Sequence, residues 1–316
     1  MQVTQPIITT INEPPISLED FEGVSFRFSL TTRSAEMRSR KNDEDWQNRN
    51  RPPPVIDHQK ELAKLLNGFY GRHSHWQVFS DFCEMGAIAF SNAVDLAQRE
   101  KREERYMQIV KGYSREELDN FSHGLAHLTM ALEGGFSDVL GHTFHDLELH
   151  NKWAGQFFTP YDVSRMMANM TVGDGEDLKA RIAERGFVTA QEPAVGSGSM
   201  VIALALAMRD AGVNYQQHLH VTAIDVDLKC VHMAYLQLTL LHIPAVIVHG
   251  NTLSLEEYSH WYTPAHIMGG WNWKLRRRAE EAGEHEIHAP PKIEAALVES
   301  LPNQKPAAPH GQLKLF

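Results

Sequence analysis

The stretch that most limits what this chain can fold into is "FVTAQEPAVGSGSMVIALAL", residues 187–206. A short apolar run ends in an acid and a proline, turns on Gly196-Ser197-Gly198, and enters an Ala- and Leu-rich helix. A strand feeding a glycine turn feeding a helix presents backbone N–H groups and the positive end of a helix to a ligand. The residues sort the ligand classes that use this device. A phosphate-cradling loop closes with Gly-Lys-Ser/Thr, and Ser199-Met200 stands there instead. A dinucleotide fingerprint needs a third glycine where Val201 sits. An acid, a Gly-x-Gly turn and small residues suit a nucleoside carrying an amino acid rather than a pyrophosphate.

Around this turn the chain alternates strand and helix. Strands are expected at 187–191, 220–225, 245–250 and, in "AHIMGG", 265–270; helices at about 160–171, 197–211 and 227–241. That alternation predicts an α/β fold with a parallel, doubly wound sheet. Upstream, from "DHQKELAKLLNGFY" to "FHDLELHNKW", apolar residues recur at three- and four-residue spacing, as in Leu62, Leu65, Leu66 and Phe69, then Phe79, Phe82, Ile88 and Phe90. About five helices are expected there, one opened by a capping box of Ser114 and Glu117. The expected organisation is a Pro-, Asn- and Arg-rich disordered or extended arm (1–55) and a helical domain (56–150). An α/β ligand-binding domain (151–278) and a Pro-rich linker ending in "GQLKLF" (279–316) complete it.

Composition narrows the function classes. The 316 residues are 42% apolar, enough for one sizeable core or two small ones, and no apolar run reaches bilayer length. The start lacks the charged and apolar regions of a secretory signal, and the two cysteines, Cys83 and Cys230, lie far apart in apolar segments. A cytoplasmic protein with reduced thiols and no membrane partner is expected. The net charge of −10 weighs against an extended nucleic-acid surface, although "RSAEMRSRK", "QREKREER" and "KLRRR" are local basic runs. Eighteen histidines raise the question of a metal. His123 and His127 sit one helical turn apart without the glutamate of a zinc helix, and no metal site is expected.

Two further polar residues fall at strand ends. Asp225 closes "AIDVD", where a carboxylate can accept from a ribose diol, and Asn251 opens the turn of "GNTL", where an amide can meet an adenine edge. The plainer alternative is that both merely cap the helices next in the chain. In order, "GQFFTPYDVSRMM" (155–167), "EPAVGSGS" (192–199), "AIDVD" (223–227) and "GNTL" (250–253) resemble the adenine-specific N6 DNA methyltransferases of the type I restriction–modification group. The resemblance spans roughly residues 136–255. It implies a Rossmann-like methyltransferase fold, DNA as partner and S-adenosylmethionine as cofactor, held in the 151–278 domain. By position it places Phe157, Phe158, Thr159 and Pro160 at the methionine end. It makes Glu192, Gly196 and Gly198 the pocket wall, gives Asp225 the ribose and turns Asn251 to the adenine.

The chain departs from that family in one respect. Methylating an adenine amine needs carbonyl acceptors and an aromatic ring, supplied there by Asn/Asp-Pro-Pro-Tyr/Phe after the fourth strand. Here the stretch reads "HWYTPAHIMGGWNWKLRRR". Asn272 is the nearest candidate for catalysis, with Trp271 and Trp273 as base-stacking candidates and Trp261 and Tyr262 as further aromatics. Two functions compete: an active adenine methyltransferase with a degenerate base pocket, or a pseudo-methyltransferase that binds without chemistry. The sheet is expected to stop at its fourth strand, leaving an edge for the helical domain or a second subunit to cover. A homodimer and a separate specificity subunit are both compatible with that edge. Finally, Gln312, Leu313, Leu315 and Phe316 resemble the peptide by which bacterial proteins dock on the DNA sliding clamp.

Overall fold

A computed structural model describes residues 56–69, 72–147 and 158–281; the expected arm and the terminal peptide lie outside them. The described residues open with five helices: α1 (His58–Asn67), α2 (His75–Val94), α3 (Arg99–Val110), α4 (Arg115–Gly134) and α5 (Val139–Asp146). Then come α6 (Tyr161–Val172), α7 (Glu176–Arg185), β1 (Val188–Glu192), α8 (Ser199–Asp210), α9 (Tyr215–His218) and β2 (Leu219–Asp225). The described chain ends with α10 (Leu228–Leu240), β3 (Ala245–Asn251), β4 (Glu256–Tyr262), α11 (Pro264–Met268) and α12 (Trp271–Glu281). No helix of the described residues is long and apolar enough to cross a membrane.

The sheet runs β1-β2-β3-β4, with β1–β2 and β2–β3 parallel and β3–β4 antiparallel. This corrects the expected parallel fourth strand at 265–270. Pro264 at the first helical position, capped by the Thr263 hydroxyl, turns that stretch into α11. The fourth strand is instead "EEYSHWY", joined to β3 by a tight turn, and a connection that short can only be antiparallel. Its polar, acidic start hid it from a search for apolar runs.

The strand order never reverses, so the crossovers α8 and α10 fall on the same face. There Val221, Ala223, Ala245 and Ile247 are wholly buried. On the other face His266 of α11 and Trp271 lie against His220 at the strand starts, while Thr189 and Gln191 remain exposed. A doubly wound sheet continues from its first strand in the opposite direction. Among the described residues nothing pairs with the far side of β1, so this sheet is one half of such a fold.

Helix α10 is buried at every residue from Cys230 to Thr239, as a helix between two layers must be. The sheet lies on one side of it and α2 on the other, close enough that a Cβ at Gly86 would stand 3.0 Å from Leu236 Cδ2. The expected capping box at Ser114 and Glu117 is present. The hydrophobic core runs without interruption from Leu62 in α1 to Trp261 in β4. The expected boundary at residue 150 lies outside the described residues; on either side of it the core residues belong to one cluster, with the helices as a third layer. Contacts divide the chain into one compact unit through Trp271 and a second from Asn272 onward. Arg102, buried in α3, fastens the helical layer to β4: it donates to Asp95 at 2.7 Å and to the His260 carbonyl at 2.8 Å, and lies 4.0 Å over the Trp261 ring. That contact occupies a carbonyl on the outer edge of the sheet.

Three buried histidines lie in this core. His232 packs edge-on against Trp261, and His220 hydrogen-bonds His266 at 2.8 Å beside Trp271. Burial pushes the His232 ring down to about 4; burial and the neighbouring His266 push His220 to about 3. Both values lie below the unfolded value of about 6.5, so the stability they carry is complete above it. It is lost as pH falls through that value, because only the unfolded chain takes up the protons. Each ring contributes a slope of up to about 1.4 kcal/mol per pH unit. Denaturant titrations between pH 7 and 4 should show stability falling steadily, and His232→Phe should remove one proton's worth of that slope while keeping the ring packing.

Candidate functional site

The carboxyl ends of β1, β2 and β3 converge, and the loop 193–198 lies over them. Val195 N–H donates to the Ile224 carbonyl at 2.9 Å, prolonging the β1–β2 pairing past the strand. Gly196 then takes φ 55° and Gly198 φ 99°, left-handed conformations that glycine adopts without a Cβ penalty. Gly198 is the N-cap of α8 and offers no side chain to its first N–H groups, so the helix start is left for another acceptor. On one side of the loop Phe158 presses against Gly196: a Cβ there would lie 3.0 Å from Phe158 Cδ1. Phe158 is held by Phe144, with ring centroids 5.0 Å apart, and by His145 at 5.9 Å. Thr159 and Pro160 are exposed beside it, and Phe157 lies outside the described residues.

Beneath the loop sits a polar cluster that sequence reasoning missed. Asp138, buried, caps α5 by accepting from Gly141 N–H at 2.9 Å, takes the Gln237 amide at 2.9 Å and accepts the Ser197 hydroxyl. Gln237 also donates to the Ser197 carbonyl at 2.8 Å and accepts from Leu140 N–H at 3.0 Å. Ser199 and Ser164 share a further hydrogen bond of 2.9 Å, tying α8 to α6. Asp before "VLGHTF" is a legible helix start, but nothing local links it to a serine 59 positions on.

At the end of β2, Asp225 accepts from Gly196 N–H at 2.8 Å through one oxygen and from Asp227 N–H at 2.9 Å through the other. The helix after it is capped by Asp227, so Asp225 is not a cap. A carboxylate has about four acceptor positions, which leaves roughly two for a ligand diol. Val226, 63% exposed, stands beside it. At the end of β3, Asn251 spends its oxygen on Leu253 and Ser254 N–H groups at 2.9 and 3.3 Å, closing a turn. Its amide nitrogen has no hydrogen-bond partner among the described residues. The Thr252 hydroxyl donates to the Pro193 carbonyl at 2.7 Å, bridging the ends of β3 and β1 across β2.

Both strand-end acids are raised above the ordinary carboxylate range. Burial is the main cause for each. The Asp225 charge adds to the rise at Glu192 and the Asp227 charge to that at Asp225, while backbone N–H groups offset part of it. The site therefore asks for positive charge and for hydroxyls, with apolar surface alongside.

The aromatic candidates fall elsewhere. Trp271 is completely buried against Phe187 and His220, at the starts of the parallel strands. His220 and Asp225 are five residues apart on β2, roughly 17 Å at about 3.3 Å per residue. A base-stacking role for Trp271 beside the cofactor motifs is thus corrected, because the ring is wholly buried at the opposite end of the strands. Trp261 is buried against His232 and Tyr235. Trp273, in the second unit, is 61% exposed with the Arg277 guanidinium 4.6 Å from its ring centre. Asn272 begins that unit and is exposed.

The sequence model of the N-6 DNA methylase family matches residues 136–295, about half of the chain, from Phe136 beside the buried Asp138 to past α12. No curated protein matches. Among solved structures, one described as a class I S-adenosylmethionine-dependent methyltransferase from Listeria monocytogenes is 12% identical over 72% of this chain and 79% of that chain. Its TM-score of 0.37 is too low to bear on the site.

Removing the buried carboxylate strands three donors, on Ser197, Gly141 and Gln237. Each buried donor without a partner costs about 1–3 kcal/mol, partly relieved by relaxation. Asp138→Ala should lower unfolding free energy by about 2–4 kcal/mol in denaturant titration, and Asp138→Asn by less.

Proposed function

Since the chain belongs to the N-6 DNA methylase family, we propose that it binds S-adenosylmethionine over the ends of β1, β2 and β3 and associates with DNA without the family's usual methyl transfer. Membership implies S-adenosylmethionine as cofactor and DNA as the substrate class. The residues present suit that cofactor. Two carboxylates face a ligand carrying a sulfonium and an ammonium, an uncapped helix start faces its carboxylate, and Asp225 keeps acceptor positions for its ribose. In this reading Phe158, Thr159 and Pro160 border the methionine end with Phe157, and Glu192, Gly196 and Gly198 wall the pocket. The Asn251 amide meets the adenine. When bound, the cofactor supplies an electrophilic methyl group.

The observation that carries the doubt about transfer is the path of the chain after β3. Where an acceptor segment would come after a further parallel strand, β4 turns back and delivers Thr263-Pro264 to the starts of the parallel strands, beside His220 and His266. Thr263 is wholly buried there, its hydroxyl bonded to Ile243 and Ala245. No Asn/Asp-Pro-Pro-Tyr/Phe stretch follows β3 or β4 in the sequence. The free flank of β1 is where a second copy of the chain or a separate specificity subunit would extend the sheet. The second reading, an active enzyme using Asn272 with Trp273, draws on the exposed Trp273 ring.

Calorimetry should detect S-adenosylmethionine binding by the wild type and its loss, by more than about tenfold in affinity, in Asp225→Ala and in Gly196→Val. The valine cannot sit at φ 55° against Phe158 without displacing one of them. With labelled cofactor and adenine-containing DNA, transfer should stay at background; turnover that Asn272→Ala abolishes would establish the active reading instead. The chain end adds a partner. Leu313, Leu315 and Phe316 suit an apolar pocket and Gln312 a hydrogen-bonded anchor, the chemistry of a peptide that docks on the sliding clamp. Fluorescence polarisation with purified bacterial clamp should show binding by the full chain and none by a chain lacking Gln312–Phe316.

A further inference from the structure

The strand-end site carries negative charge for which the described residues supply no cationic partner. Glu192 and Asp225 close neighbouring strands, Glu192 lying in register with Ala223, two residues before Asp225. Among the described residues neither has a cationic partner. The ammonium of Lys229 lies 3.9 Å from Asp227 and 3.6 Å over the Trp76 ring. The two acids differ in how tightly they are held. Both oxygens of Asp225 already fix backbone, at Gly196 and at Asp227. Glu192 gives one oxygen to Ala194 N–H at 3.2 Å, and its other oxygen has no hydrogen-bond partner among the described residues.

We propose that this pair makes the site selective for the sulfonium form of its ligand over the neutral thioether that remains after methyl loss, with Glu192 as the specificity-determining residue. The inference rests on the reading that S-adenosylmethionine binds here. The two ligand forms share the adenine, the ribose and the amino acid, so every contact to those parts cancels in the ratio of their affinities. What is left is one methyl group and one positive charge. Carboxylates in a partly dry site feel such a charge through an effective dielectric constant of about 20 rather than about 80, which makes the charge worth an order of magnitude or more in affinity. Burial that holds both acids above their ordinary range reports the same lack of compensation. A site built this way fills with the methyl donor and empties of its product. For a protein that binds without turnover, occupancy then tracks donor concentration even when the thioether accumulates.

Calorimetry on the full chain with three ligands decides it: S-adenosylmethionine, S-adenosylhomocysteine, and an analogue in which a protonated amine replaces the methylsulfonium. The two cations should bind at least about tenfold tighter than the thioether. In Glu192→Gln, which keeps the Ala194 hydrogen bond and the side-chain volume, that gap should shrink to about threefold or less, chiefly through weaker cation binding. Thioether binding as tight as S-adenosylmethionine, or a gap unchanged in a Glu192→Gln chain that melts normally, overturns the selectivity while leaving the cofactor assignment intact. No binding of any of the three overturns both. The wild-type series settles the selectivity even where the variant fails to fold.

Discussion

The carboxylate of Asp138 is the constraint on which the rest of the site depends. It is out of water, and its charge is tolerable there because Gly141 N–H, the Gln237 amide and the Ser197 hydroxyl all point at it. Through those three donors it holds together the start of α5, the middle of α10 and the glycine loop. The loop itself has little to stiffen it, since its two glycines accept many backbone conformations. Its shape is imposed from below by Asp138 and Gln237, from the side by Phe158, and from the strand end by Asp225. A ligand meeting this loop finds N–H groups already aimed, which lowers the entropy lost on binding.

The sheet explains why the proposed cofactor site and the stretch that follows β4 lie at opposite ends of the strands. Three strands in sequential order, with both crossover helices on one face, make the half of a doubly wound fold that carries the nucleoside. The chain then folds back through β4 on the outer side of β3, and β1 is left as an edge. Glu192, Asp225, Asn251 and the glycine loop are grouped at one end of the strands. The residues that a sequence comparison would align with an acceptor segment have become structural at the other end, where Thr263 caps a short helix and His266 pairs with His220.

Much of this was legible in the sequence, for a physical reason. β2 and β3 are largely buried runs and β1 a half-buried one, all bounded by turn residues; the glycine loop announces itself by its spacing, and Asp225 and Asn251 are marked by their place at strand ends. What escaped were relations between distant positions. The fourth strand was misplaced because "AHIMGG" is apolar and "EEYSHWY" is not, although a threonine–proline pair marks the former as a helix start. The third layer looked like a separate domain because periodicity describes one helix at a time and says nothing of what α2 packs against. Asp138 was invisible because its cap is local while its other partners, Ser197 and Gln237, stand 59 and 99 positions away. Trp271 looked available because a tryptophan between glycine and asparagine gives no hint of being wholly enclosed.

The monotonic strand order also sets the sequence of events by which the molecule assembles. Each strand pairs with the next along the chain, so β1 to β4 can close one loop at a time, each short and entropically cheap. Joining the helical layer is different in kind. The bond from Arg102 to the His260 carbonyl spans 158 positions, and it cannot form until β4 is in place. During synthesis the helices emerge first, with the face of α2 that will meet α10 still wet. The glycine loop is then shaped late, since Asp138 must wait for both Ser197 and Gln237. A chain arrested before α10 would carry its first helices and its loop sequence intact and still lack Gln237, the residue that ties the loop to Asp138.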